Sequence, residues 1–267
     1  MSRYADAASY AEPEAYAALF HRHVFQRYEL KCAGIGTARE ISRGWLRSPI
    51  NDIEALQEVL GEIKQSDADG RVLEAAERAA RKLPGDPVTI CIFAYPPDIE
   101  SAGYVIDVMG GAMGFADAKG GLWLQLLPTE GWLDEIYPAV THEYYHAVTY
   151  PDDTAALTLL DVLINEGAAD SFTAILYPDF VPEWTTAIPQ SEQAPVWRQM
   201  MTVLDSTDSA TIDRFVFGDD DAIPRQSGYS IGFAIMQSWL KRNPDVPPSE
   251  WSAHSPKAIL EGSGYDP

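Results

Sequence analysis

Residue types that often build functional sites are scarce in this chain. Its 267 residues include two cysteines and five histidines. Cys32 and Cys91 form neither a CxxC nor a metal-type pair, and Cys91 falls in Val88–Phe93, a run that reads as a buried strand. The expectation is therefore two reduced thiols and no disulfide framework. No apolar run reaches the length of about 18 residues that a membrane span needs. The opening residues, Met1–Asp6, lack a basic start followed by an apolar stretch, so no signal peptide is visible. The expected placement is cytoplasmic, with no membrane partner. Basic residues are also few: 19 Lys and Arg stand against 40 Asp and Glu, a net charge of −21. Such a surface repels phosphate backbones and anionic lipids, which argues against nucleic acid as a partner. It suits a cationic substrate, or simply a soluble acidic surface.

What is present is globular. Hydrophobic residues make up 46% and charged residues 22%, which excludes disordered, collagen-like and coiled-coil classes for the whole chain. Residues 12 to about 83 read as helices. Pro13 can open the first, followed by Tyr16, Phe20, Val24 and Tyr28 at every fourth position. Asn51 with Glu54 is a capping signature, and Ile53, Leu56, Leu60 and Ile63 follow at helical spacing. A third helix spans Val72–Ala80. The cluster Leu83–Pro87, rich in Pro and Gly, is the best boundary. It divides the chain into an N-terminal helical region, 1–84, and a second region, 85–267. Strand-type runs follow at Val88–Tyr95, Tyr104–Met109 and Leu122–Leu127. Helical periodicity returns at about 132–149, 155–177, 195–205 and 229–242, with Pro178, Pro182, Pro189 and Pro195 marking a loop. Helices, a small sheet, then helices again predict an α+β fold.

The strongest chemical signal is His142-Glu143-Tyr144-Tyr145-His146, an HExxH. On a helix, positions i and i+4 share one face, so two imidazoles can grip one Zn²⁺ at about 2.0–2.1 Å. Glu143 stands one step round the helix, suited to accept a proton from an attacking water. The bland reading is a surface helix with two solvated histidines. Against it, two of the five histidines fall on the motif, amid apolar Trp132, Leu133, Ile136, Tyr137, Val140 and Val148.

A matching acid lies downstream. Leu157–Leu176 is apolar nearly all round and reads as a buried helix. A carboxylate in its middle needs a reason, because burying an unpaired charge is costly. Glu166, 20 positions after His146, can complete a His–His–Glu site with a fourth position open. Pro151–Thr154 supplies a turn between the helices. Asp170, one turn on, is a candidate acceptor for the free N–H of a ligating histidine. A hydrogen-bonded carboxylate and a plain helix-surface acid are the competing readings of these two residues.

These motifs resemble the gluzincins, zinc metallopeptidases with HExxH and a glutamate on the next helix. More narrowly, the chain is similar to the YjaZ-like predicted zinc-dependent proteases, a domain-of-unknown-function family. The small β segment before the HExxH helix, Asn165–Asp170 and the later Gly228–Gly232 carry the likeness over about 85–245. The resemblance implies a zincin-like fold with a small mixed sheet and a mainly helical C-terminal part carrying the site. It implies one Zn²⁺ per chain on His142, His146 and Glu166, with Glu143 as general base and a peptide or protein as substrate. One departure stands out. No histidine follows Glu166 except His254, so the usual oxyanion-holding histidine has no evident counterpart. Tyr229, opening a helix, is the chosen substitute donor; Arg225 is a second candidate for the oxyanion or a substrate carboxylate. In gluzincins a free sheet edge takes the peptide as an added strand; Gly111–Gly114 or Leu122–Gln125 is the candidate edge. The rival reading is a catalytically idle zincin scaffold that binds a partner around a structural zinc. The retained Glu143 argues against it, because a structural site needs no base. His21 with His23, Asp219–Asp221 and Gly34–Gly36 make no convincing site, and the sequence leaves the oligomeric state open.

Overall fold

The computed structural model describes residues 1–27, 49–95, 102–116, 120–149, 156–219 and 222–267. Tyr28, Cys32, Gly34–Gly36, Pro151–Thr154, Asp220 and Asp221 lie outside them. The fold is α+β, with a three-stranded mixed sheet and a mainly helical C-terminal part. The chain divides into two compact units, Met1–Asp152 and Asp153–Pro267.

The first unit begins with α1 (Ser2–Ala8) and α2 (Tyr16–Phe20), which runs into a π-helical turn, His21–Phe25. Pro13 opens a short 3-10 turn ahead of α2, and Phe20 and Val24 of the expected stripe are buried. Next come α3 (Ile53–Gln65) and α4 (Ala68–Lys82). The cap of α3 is Asp52, whose carboxylate accepts from the Ala55 amide at 2.9 Å, one residue later than the Asn51 expected. Then follow β1 (Thr89–Ala94), α5 (Ala102–Asp107), β2 (Ala112–Ala116), β3 (Gly121–Leu126) and α6 (Trp132–Thr149). The strand expected over Tyr104–Met109 is a correction: most of it is α5. Its β-branched content favours a strand, yet Val105 is buried while Ile106 is exposed, and packing overrides propensity.

The sheet order is β1-β3-β2, with β1 parallel and β2 antiparallel to β3. Leu122–Gln125 is therefore the middle strand, bonded on both sides, and has no free edge. Alternation sorts the two faces. Leu122, Leu124, Leu126 and Ala112 pack with Val72 and Ala75 of α4 and with Trp132, Ile136 and Val140 of α6. Met113, Phe115 and Phe93 face the other way, toward Tyr4, Phe20, Val24 and Leu56 of the N-terminal helices. Cys91 is disulfide-bonded, which corrects the expectation of a reduced thiol. Among the described residues no helix is long and apolar enough to cross a membrane.

The second unit is helical: α7 (Leu159–Leu176), a 3-10 turn Glu183–Thr186, α8 (Gln190–Met200), α9 (Ser209–Phe217), α10 (Ser227–Arg242), α11 (Pro248–Trp251) and α12 (Pro256–Ser263). A capping box starts α7: the Asp161 amide donates to Thr158 Oγ1 at 3.2 Å and the Thr158 amide to Asp161 Oδ2 at 2.8 Å. Pro195, expected in a loop, lies inside α8, where it forfeits one helical hydrogen bond. Helices α7 and α10 bury Leu163, Ala168 and Phe172 with Ile231, Ile235 and Met236.

Candidate metal centre

Helix α6 carries the HExxH and is pinned along its length. Tyr144 Oη donates to the Leu83 carbonyl at 3.0 Å, and burial pushes its phenol above the usual range. Burial raises the neighbouring Tyr145 phenol further. At the start of the helix, Arg71 pairs with Asp134 at 2.6 Å and Tyr137 Oη donates to Glu74 at 3.0 Å. With the backbone held by these contacts, the i, i+4 spacing turns both imidazoles the same way. The Nε2 atoms of His142 and His146 stand 3.0 Å apart. His146 is buried at 4% exposure; His142 and Glu143 are half-buried.

Glu166, half-buried on α7, completes a group with them. One ligand atom from each of His142, His146 and Glu166 lies within 4.8 Å of the other two, an arrangement that could hold a metal ion. The donor chemistry fits zinc. Two nitrogens at about 2.0–2.1 Å from a tetrahedral centre stand about 3.3 Å apart, close to the observed separation. Two imidazoles and a carboxylate are a borderline-to-hard donor set that zinc accepts. Among the described residues no other group of His, Cys, Asp and Glu converges in this way.

The remaining candidates have clear positions. Asp170 is 2% exposed and accepts from the indole N–H of Trp184 at 3.2 and 3.1 Å. Trp184 was not legible as a site residue, because nothing in its local sequence pairs it with Asp170 across 14 positions. Tyr229 is half-buried in the first turn of α10, its ring 6.1 Å from that of Phe217. Arg225 is exposed in the preceding loop. Asp219 accepts from the Ala222 and Ile223 amides at 2.8 Å each and from Arg214 Nε at 2.6 Å, a structural use of the acid. Gln226 adopts a left-handed φ of 58°, a conformation that costs a non-glycine residue energy and is held only where its surroundings fix it. His21 stacks on Phe25 and His254 is exposed beside Trp239; neither joins a metal group.

Sequence reasoning gave Gly114 only as part of a candidate peptide edge and missed its contact with Glu143. A Cβ there would run into Glu143 Cγ. Its only signal was a glycine inside a strand, which marks close approach of some other group.

An α+β chain with an HExxH helix and a His–His–Glu group carries a donor set that could hold a metal ion. The family described as Predicted Zn-dependent protease (DUF2268) matches residues 68–261, and the chain belongs to that family. No curated protein and no solved structure matches the chain.

Proposed function

We propose that this chain is a single-zinc metallopeptidase of gluzincin type, acting on a peptide or protein. The observation that carries the reading is the convergence of His142, His146 and Glu166 beside Glu143. Those three residues would hold the ion. When bound, zinc would supply Lewis acidity, polarising the scissile carbonyl and easing proton loss from water. Glu143 takes the proton of the attacking water and returns it to the leaving amine. Atoms balance: the C–N bond breaks, a C–O bond forms, and one water is consumed. Tyr229 donates its hydroxyl hydrogen to the developing oxyanion, with Arg225 as the alternative donor or the anchor for a substrate carboxylate. Asp170, clasped by Trp184, orients the site from behind. Strand β2, bonded to β3 on one side, offers its other edge to an extended peptide.

Glu143→Gln tests the reading, since it keeps shape and hydrogen bonding while removing the base. The expected result is full zinc content with turnover on a peptide library lowered by about two to four orders of magnitude. Equal turnover by both proteins would overturn the role of Glu143. A wild type that cuts nothing from a broad library would favour the idle scaffold.

A further inference from the structure

We infer that Gly114 is a positioning residue for Glu143: the missing side chain on β2 is the slot that fixes where the carboxylate stands. This inference rests on the reading of Glu143 as the general base. Strand alternation turns Ala112, Gly114 and Ala116 toward one face and Met113 and Phe115 toward the other. The first face meets α6, since Ala112 packs with Trp132, Ile136 and Val140. A Cβ on Gly114 would overlap Glu143 Cγ and lie 3.1 Å from its Cδ and 3.2 Å from Oε1. Glu143 Cγ, Cδ and Oε1 therefore crowd the space that a methyl group would fill.

Backbone conformation does not explain this glycine. Gly110, Gly111 and Gly120 nearby have φ of 57°, 90° and 74°, values that favour glycine, whereas Gly114 is not among the positive-φ residues. Any residue could adopt its backbone, and glycine weakens a strand interior. Room for a neighbour is what remains. The same relation recurs about two helical turns away, where a Cβ on Gly110 would run against Glu135, with the Glu135 Cδ at 2.9 Å. Glu135 and Glu143 are separated by a rise of about 12 Å along the helix, and Gly110 and Gly114 by at most about 13 Å of chain. Helix and strand segment thus run side by side, each glycine seating one glutamate. A free glutamate samples many rotamers; one pressed into a glycine slot samples few, which is what a general base requires.

A thermal double-mutant cycle on metal-free protein tests the contact without relying on activity. Gly114→Ala should lower Tm by about 3–10 °C, the usual effect of overpacking in a domain of this size. In a Glu143→Ala background the same change should cost almost nothing, while in a Glu143→Gln background, which keeps the shape, it should cost as much as in wild type. Equal losses in all three backgrounds would overturn the inference, because the methyl would then be meeting something else. If Gly114→Ala alone does not fold, recovery of folded protein by Glu143→Ala in the same chain supports the contact, and failure to recover overturns it. On zinc-loaded enzyme, Gly114→Ala should reduce kcat by about ten- to a hundredfold, with KM and zinc content little changed. Thermal coupling with unchanged kcat would show a contact that does not position the base. A wild type that cleaves nothing would instead strike the peptidase reading, and the thermal cycle would still decide the contact.

Discussion

Gly167 of α7 and Gly232 of α10 cross with their backbones in contact. A Cβ on Gly167 would lie 2.7 Å from the Phe233 amide nitrogen, and one on Gly232 would overlap the Leu163 carbonyl oxygen. Glu166 is the residue before that crossing, so the two glycines set where the proposed metal ligand sits. Gly232→Ala should cost about 1–3 kcal/mol of stability, because rigid backbone cannot yield as a side chain can. Chemical denaturation should show that loss, and metal analysis should show reduced zinc in the folded fraction. Wild-type stability and zinc content in the variant would contradict the role given to this crossing.

The ligand set makes a separate prediction. His142→Ala and Glu166→Ala should each leave folded protein with zinc well below the one equivalent expected of wild type. Undiminished zinc in either variant would remove that residue from the site.

The HExxH helix was legible in full: periodicity placed it at 132–149, and α6 spans Trp132–Thr149. Glu166 was also legible, since a carboxylate within an almost uniformly apolar helix is conspicuous. Both signals are local, carried by spacing within one element. Signals that depend on distant partners were not. Tyr104–Met109 has strand-like composition, but α5 forms because Val105 seats against the N-terminal helices. Strand β2 contains Ala112, Gly114 and Ala116, poor strand formers whose small size matters only once α6 lies over them. The partner of Asp170 is an indole from the 3-10 turn beyond α7, which no spacing rule foretells.

Tyr229 and Arg225 compete for the oxyanion. Tyr229→Phe should keep the fold, since its ring still meets Phe217, and should lower kcat by about a hundredfold or more with KM little changed. Steady-state kinetics on a cleaved peptide read this directly. Full activity in Tyr229→Phe with loss in Arg225→Ala would transfer the role to the arginine.

Glu135 supplies a pH prediction. Burial, reinforced by the charge of Asp134, raises its carboxyl above the ordinary value of 4.5. A carboxyl with a raised folded-state pKa favours the folded state in its neutral form, so the favourable contribution is present below 4.5 and is lost as pH rises through the folded value. Glu135→Gln should therefore raise Tm at neutral pH, and the gain should shrink on acidification into the range where Glu135 is itself protonated. Thermal melts of both proteins across that range check it. A gain that grows toward acid pH would have the wrong sign.

Peptide hydrolysis by this chain should depend on one zinc held by His142, His146 and Glu166. The most direct measurement strips the metal from purified protein with a chelator, then follows cleavage of a peptide library while zinc is titrated back. The stripped protein should cleave nothing, activity should return and saturate near one zinc per chain, and Glu143→Gln should show no comparable recovery. Cleavage that survives complete removal of the metal would contradict this dependence.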